Sequence, residues 1–205
     1  MNRRYARTIA AAALCLAAAW LAACASNSVL GITYRVPETA TRPAARTVTL
    51  AFEDERPSDG FLTPRARDEM EGFSNAFALT VTQPGRPGEL KGAFELAPLF
   101  REVLRARLEG AGIRIAATGA AADAQFKFVL KEFTLDFGDR KWSSRMAYEA
   151  LLLRDGATLS RQTVSGSAER LKLMGKSEAE KVVSELVTDT INQMDVATLF
   201  KQAGL

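Results

Sequence analysis

The chain has 205 residues, with 27 Lys+Arg against 24 Asp+Glu, no histidine and two cysteines. This length suits one well-packed domain plus a targeting segment, and the small charge excess gives no electrostatic footprint for nucleic acid. Without histidine the commonest general base and metal ligand are missing, and a Ser-His-Asp triad cannot be assembled.

The first segment reads as a secretory leader. Arg3, Arg4 and Arg7 form a charged start, and Thr8 to Ala23 is an apolar run shorter than the roughly 20 residues of a membrane-spanning helix. It closes on Leu21-Ala22-Ala23-Cys24. Small residues before a cysteine are what lipoprotein signal peptidase requires. The thiol becomes a thioether to diacylglycerol, and cleavage leaves Cys24 as the first residue. The alternative, an ordinary leader cleaved after Ala22-Ala23, makes Cys24 a bystander, and the position of the cysteine favours lipidation. A single acyl chain holds a protein marginally, whereas the several chains of a lipoprotein (diacylglycerol plus an N-terminal palmitate-type chain) anchor it permanently. Cys24 is followed by Ala25, Ser26 and Asn27, without the aspartate of inner-membrane retention, so the expected location is the periplasmic face of the outer membrane.

Removing Arg3, Arg4 and Arg7 with the leader leaves 24 basic side chains against 24 acidic ones. Cys15 leaves with the leader and Cys24 is acylated, so the folded part has no disulfide. The expected organisation is a leader over 1–23, a lipidated N-terminus and flexible tether over 24–46, and a single periplasmic domain over 47–205. Within the tether, Val29 to Val36 has the apolar content of an edge segment, and the remainder would let the domain stand off the bilayer.

Thr47 to Phe52 is β-branched and apolar and predicts a first strand, which Glu53-Asp54-Glu55-Arg56-Pro57 ends. Ser58 to Ala93 is rich in Gly and Pro and reads as a long irregular insertion, with a short strand at Ala76 to Thr82. Leu96, Leu99, Phe100, Val103, Leu104, Leu108 and Ala111 form the stripe of a helix, with Pro98 in its first turn and Gly110 and Gly112 at its stop. A short strand follows at Ile113 to Ala116.

Three longer strands come next. Phe126, Phe128 and Leu130 alternate, then Phe133, Leu135 and Phe137 alternate in the opposite phase. The slip near Lys131-Glu132 predicts a β-bulge, or one half buried on each face. Gly138-Asp139 turns the chain into Trp142 to Leu152, and Asp155-Gly156 is a strong hairpin signal. Leu159 to Arg170 is more polar and suits an edge. Ser177-Glu178-Ala179-Glu180 has the form of a capping box before a helix whose apolar face runs from Ala179 to Met194. Asp195 is placed to cap a final turn through Phe200.

The order predicts an α+β domain: a mostly antiparallel four- to five-stranded sheet with two helices packed on one face and a long irregular insertion after the first strand. The first strand and the short strand at Ile113 are expected to pair in parallel, because a helix connects them.

Val182 to Ile191, the following Asn192-Gln193-Met194 and the tail Leu199-Phe200-Lys201-Gln202 resemble the close of YajG-like bacterial lipoproteins. The Leu21–Cys24 motif, the first strand and Leu99 to Leu104 fit the same pattern. The resemblance implies a small outer-membrane lipoprotein and carries no catalytic residues. The element order is also similar to that of periplasmic auxiliary lipoproteins of envelope transport and assembly machines, a likeness of fold alone.

Side chains for chemistry are few. There is no Gly-x-Ser-x-Gly and no phosphate-binding Gly-rich loop. Glu53-Asp54-Glu55 has the oxygens for a hard cation but reads more simply as a solvated turn, with Asp54 and Arg56 as an anchoring ion pair. Phe137 and Trp142 flank a hairpin, where an exposed pair could contact lipid or a partner; core packing or capping of the sheet end is the expectation. Phe61, Phe73 and Phe77, in the Gly/Pro-rich stretch, either cover the sheet or form a partner surface. The expectation is therefore a non-enzymatic interaction module without cofactor or metal, held to a membrane by Cys24 and working with an envelope protein. A carrier of a lipid or other hydrophobic ligand is the alternative.

Overall fold

The computed structural model describes residues 28–38, 46–58, 60–117, 120–173 and 176–205. Its elements are β1 (Ser28–Arg35), β2 (Thr47–Asp54), α1 (Pro64–Glu69), β3 (Phe73–Thr82), β4 (Glu89–Phe94), α2 (Leu96–Gly110), β5 (Arg114–Ile115), β6 (Ala124–Gly138), β7 (Lys141–Arg154), β8 (Ala157–Leu171), α3 (Ser177–Asn192) and α4 (Val196–Gln202). They build two sheets, ordered β1-β3-β4 and β5-β2-β6-β7-β8. In the larger sheet β5, β2 and β6 run parallel, while β6, β7 and β8 form an antiparallel meander. In the smaller one β1 is parallel to β3 and β3 antiparallel to β4.

The α+β class and the five-strand count agree with the sequence, as does the parallel pairing of β2 with the short β5. Two expectations are corrected. The larger sheet is mixed, because the β2–α2–β5 crossover brings parallel strands to one side of the meander. The insertion over 58–93 is folded: it supplies α1, β3 and β4, and its Gly and Pro residues mark the turns between them. Val29 to Val36, expected as an edge segment, lies in and just after β1, where Leu30, Ile32 and Tyr34 alternate inward and are fully buried.

A bulge between Leu130 and Glu132 resolves the phase slip in β6. The extra residue lets Phe126, Phe128, Leu130, Phe133 and Leu135 all point into one core, which a regular strand could not do. On that face Phe128 stacks on Tyr148 (4.4 Å between ring centroids) and on Phe100 of α2 (5.6 Å), and Phe100 meets Phe133 edge-on at 5.2 Å. The outer face of the same sheet is wet. It carries the cross-strand pairs Glu53–Lys127, Glu55–Lys131 and Glu149–Arg161.

Both hairpins of the meander have positive φ at their central residues: 49° and 59° at Asp139 and Arg140, 51° and 80° at Asp155 and Gly156. Helix α2 ends as expected. Gly112, at φ 88°, donates to Glu109 O at 2.9 Å, and Ile113 donates to Leu108 O at 3.0 Å, the bonding of a Schellman motif.

The start of α3 differs from the expectation. Ser177 is already helical, Lys176 occupies the N-cap, and no cap side-chain hydrogen bond forms there. Glu180 is used elsewhere: its Oε1 accepts from Gly31 N–H at 3.0 Å. Ser184 Oγ accepts from Thr33 N–H at 2.9 Å, and Thr188 Oγ1 accepts from Arg35 N–H at 3.3 Å while donating to Thr33 O at 3.2 Å. Asn192 Nδ2 donates to Arg35 O at 2.9 Å. The match has a metric cause. Two residues of strand advance by about 6.6 Å and four residues of helix by about 6 Å, so every fourth residue of α3 meets every second residue of β1. One polar stripe of a helix therefore replaces the missing neighbour strand and closes the edge of the smaller sheet.

The opposite flank of α3 lies on β7 and β8. A Cβ built on Gly166 would stand 2.5 Å from Thr190 Oγ1, so glycine at this point of β8 is what admits the helix. Tyr148 Oη donates to Thr190 O at 3.0 Å, and Ser160 Oγ to Leu199 O at 2.8 Å, tying α3 and α4 to the meander. Asp195 caps α4 by accepting from Thr198 N–H at 2.9 Å, as its sequence position suggested.

Candidate functional site

Strand β2 delivers Phe52 and Asp54 to one end of the larger sheet, where the chain turns through Arg56. Helix α2 begins beside them, and the smaller sheet lies across the gap. The result is a cleft of ≈ 310 Å³ lined by Phe52, Phe61, Phe77 and Leu96, with Asp54, Arg56 and Asn75 among its polar residues. Asn75 is held at φ 57°, a conformation that asparagine tolerates better than most residues. A wider crevice of ≈ 670 Å³ beside α1 has a mixed lining, with Arg67, Asp68 and Glu71 beside Leu62, Met70 and Phe73.

The charges of the smaller cleft are mutually engaged. Arg56 Nε donates to Asp54 Oδ1 and Nη2 to Oδ2, both at 2.8 Å, and the Arg56 side chain is only 5% exposed. The hydrogen bonds from Arg56 hold the Asp54 carboxyl below its ordinary range. Asp54 thus stays ionised near neutrality and is a poor proton donor there. Glu53 and Glu55 point to the other face and pair with Lys127 and Lys131. The three adjacent acids therefore do not converge, and among the described residues no cluster of His, Cys, Asp and Glu is arranged to hold a metal ion. The arrangement suits retention of a small apolar group against aromatic walls. Its volume is at the lower end of the roughly 300–1,000 Å³ typical of ligand sites.

The aromatic residues singled out from sequence are brought together, but inward. Phe61 and Phe77 are buried and meet edge-on at 5.2 Å, and Phe61 lies 4.7 Å from Phe133. Phe73 is half-buried against both. Of the two expectations for these residues, covering the sheet fits their burial: the 58–93 segment folds onto the sheet and shields the rings of Phe61 and Phe77 from water. Trp142 is likewise buried, with its ring 4.8 Å from Phe137, and Lys172 lies over the Phe137 ring. Leu21, Ala22, Ala23 and Cys24 lie outside the described residues. Among the described residues no helix is long and apolar enough to cross a membrane.

Two features escaped the sequence reading. The stripe Glu180, Ser184, Thr188 and Asn192 repeats every four residues, a signal visible in the sequence once a helix is required to satisfy a strand edge. Arg107 falls among Val103, Leu104 and Leu108 on the apolar face of α2 and is buried at 7% exposure. Its Nη2 donates to Met194 O at 2.8 Å, just past the C-terminus of α3, where a cation is favourable. Burial raises the ionisation of the neighbouring Tyr34 and Tyr148 hydroxyls above the ordinary tyrosine range, against the opposing pull of Arg107.

No family model matches the sequence, and no curated protein is significantly similar to it in sequence. Solved structures are similar in fold. Protein XCC0632 from Xanthomonas campestris, of the family model DUF330, superposes with a TM-score of 0.57 at 15% identity, over 86% of this chain and 96% of that one. Lipoprotein GNA1162 from Neisseria meningitidis gives 0.37 at 11% identity, over 73% and 99%. A minor lipoprotein from Acinetobacter baumannii gives 0.37 at 11% identity, over 77% and 96%. At these identities the likeness concerns fold, and the first superposition places the chain in the architecture of XCC0632.

Proposed function

We propose that the protein is a lipid-anchored lipoprotein of the outer membrane, YajG-like and facing the periplasm, that acts as a non-enzymatic interaction module by adding a partner's strand to β8. The observation that carries this reading is the unequal treatment of the sheet edges. The β1 edge is closed by the polar stripe of α3, whereas β8, 15 residues long, has β7 on one side and, among the described residues, no strand on the other. Long open edges are normally blunted, and an unblunted one is a template for strand addition. Arg161, Thr163, Ser165 and Ser167 are exposed along it. The Leu21–Cys24 motif supports the anchoring.

The test is crosslinking in cells of the tagged, full-length protein, followed by mass spectrometry of what co-purifies, with Ser165→Lys/Ser167→Lys and Cys24→Ala run in parallel. The expected result is one dominant envelope protein, lost in both variants while the lysine variant keeps the wild-type melting temperature. Undiminished capture by the lysine variant sinks strand addition at β8. The carrier reading is favoured by one observation, the aromatic walls of the ≈ 310 Å³ cleft. A bound small molecule released from protein that captures no partner would put that reading first.

A further inference from the structure

The start of β1 fixes where a membrane anchor leaves the domain. Only residues 25–27 separate Cys24 from Ser28, the first residue of β1. Four fully extended residue steps span at most about 14 Å. The domain therefore cannot stand off the bilayer on this leash, and the pole that bears Ser28 must lie against it. This rests on the reading of Cys24 as the lipidated residue.

The register identifies that pole. Gly31, Thr33 and Arg35 face Glu180, Ser184 and Thr188. One further step of the same repeat puts Val29 level with Lys176, at the start of α3. Ser28 itself is paired in register with Phe73, which follows α1. Lys176 Nζ donates to Glu71 O at 3.1 Å, Lys172 pairs with Glu69, and Lys172 N–H donates to Arg140 O at 2.9 Å. The start of β1, α1, the β6–β7 hairpin and the end of β8 thus form one end of the molecule.

That end has the surface of an interfacial binder. The large apolar side chains left exposed among the described residues are Val29 at 42%, Leu90 at 68%, Leu171 at 57% and Leu173 at 77%. Leu90 pairs with Thr80 near the far end of β3, and the other three belong to the pole that carries Ser28. Exposed Arg65, Arg67, Arg140 and Lys141 accompany the two leucines, balanced by the exposed acids Asp68, Glu71, Asp139 and Glu169 of the same elements. Leucines at water-exposed positions, on the pole that a short lipid leash holds to the bilayer, suit the boundary between acyl chains and headgroups.

We infer that this pole is a membrane-contact surface, with Leu171 and Leu173 seated in the phospholipid interface. The opposite pole, marked by the Asp155–Gly156 hairpin, stands about 45 Å away along β7. Helix α3 and the open edge of β8 then run away from the bilayer, toward the space where a partner is reached.

The experiment uses the full-length, natively lipidated protein in vesicles of phosphatidylethanolamine and phosphatidylglycerol containing a chain-brominated lipid as quencher. Leu173→Cys, Arg140→Cys and Asp155→Cys each carry a polarity-sensitive fluorophore, and residues 28–205 contain no native cysteine to compete. All three sites are exposed, and unchanged melting of the labelled variants checks that the turns at 140 and 155, both at positive φ, are kept. Mass spectrometry of the N-terminal peptide reports acylation of Cys24 in the same samples. The expected result is quenching and a blue shift at 173, an intermediate response at 140 and neither at 155. Acylated protein with equal signals at 173 and 155, or with the order reversed, overturns the orientation while leaving the anchor intact. An N-terminal peptide without lipid overturns the anchor, and the contact surface with it.

Discussion

The ladder between α3 and β1 can be tested at Thr188, which serves two backbone groups of the strand. Its Oγ1 accepts from Arg35 N–H at 3.3 Å and donates to Thr33 O at 3.2 Å. Thr188→Val keeps the shape and removes both bonds. A buried polar group left without a partner costs roughly 1–3 kcal/mol. The bonds here are partly buried, so water recovers some of that, and about 1–2 kcal/mol is expected. Ser184→Ala also removes the acceptor of Thr33 N–H, and the double variant should lose about 2–3 kcal/mol. For a chain of this size 1 kcal/mol shifts the melting temperature by about 2–4 °C, so a drop of roughly 5–10 °C is expected. Thermal and urea unfolding of residues 24–205 carrying Cys24→Ser can follow Trp142, the one tryptophan of that segment. Stability alone does not locate the loss, so native-state amide exchange completes the assay. The amides of Gly31, Thr33 and Arg35 should exchange faster while those of β6 and β7 hold. Equal melting, or lower melting with unchanged exchange in β1, would refute the idea that the helix substitutes for a strand.

Two further outcomes follow from the same structure. Gly166→Ala should destabilise by about 1–3 kcal/mol, because its Cβ would stand 2.5 Å from Thr190 Oγ1; that buried hydroxyl has no hydrogen-bond partner, so Thr190→Ala in the same chain should restore most of the loss in a melting experiment. If the second substitution fails to restore it, the clash is not the cause. The acid limb of stability depends on Asp54, whose carboxyl is held below its ordinary value of 3.8 by Arg56. A carboxyl lowered on folding stabilises the protein above its unfolded pKa, and the contribution fades as pH falls through the lower, folded value. Asp54→Asn should therefore flatten the decline in urea midpoint between about pH 5 and pH 2, and an unchanged slope would remove Asp54 from the account.

Local pattern determined much of this protein. The apolar stripe of α2, the phase slip in β6, the Asp155-Gly156 turn and the Asp195 cap are each set within a few residues, by spacing or by one side chain's reach, and each is legible without coordinates. What tertiary structure decided were matters of pairing at a distance. Val29 to Val36 and Ala76 to Thr82 read as an edge segment and a short strand, but nothing local pairs them, and they become one sheet when β1 finds β3 across a long stretch of sequence. Glu180 could serve its own helix end or a remote strand, and the choice went to Gly31 because two strand residues and one helical turn have nearly the same rise. Phe61 and Phe77 could face water or the core, and burial followed once β3 supplied the backbone hydrogen bonds that made folding inward affordable. Arg107 shows the same dependence: its place on an apolar stripe is local, but the carbonyl that receives its proton donor belongs to the end of another helix.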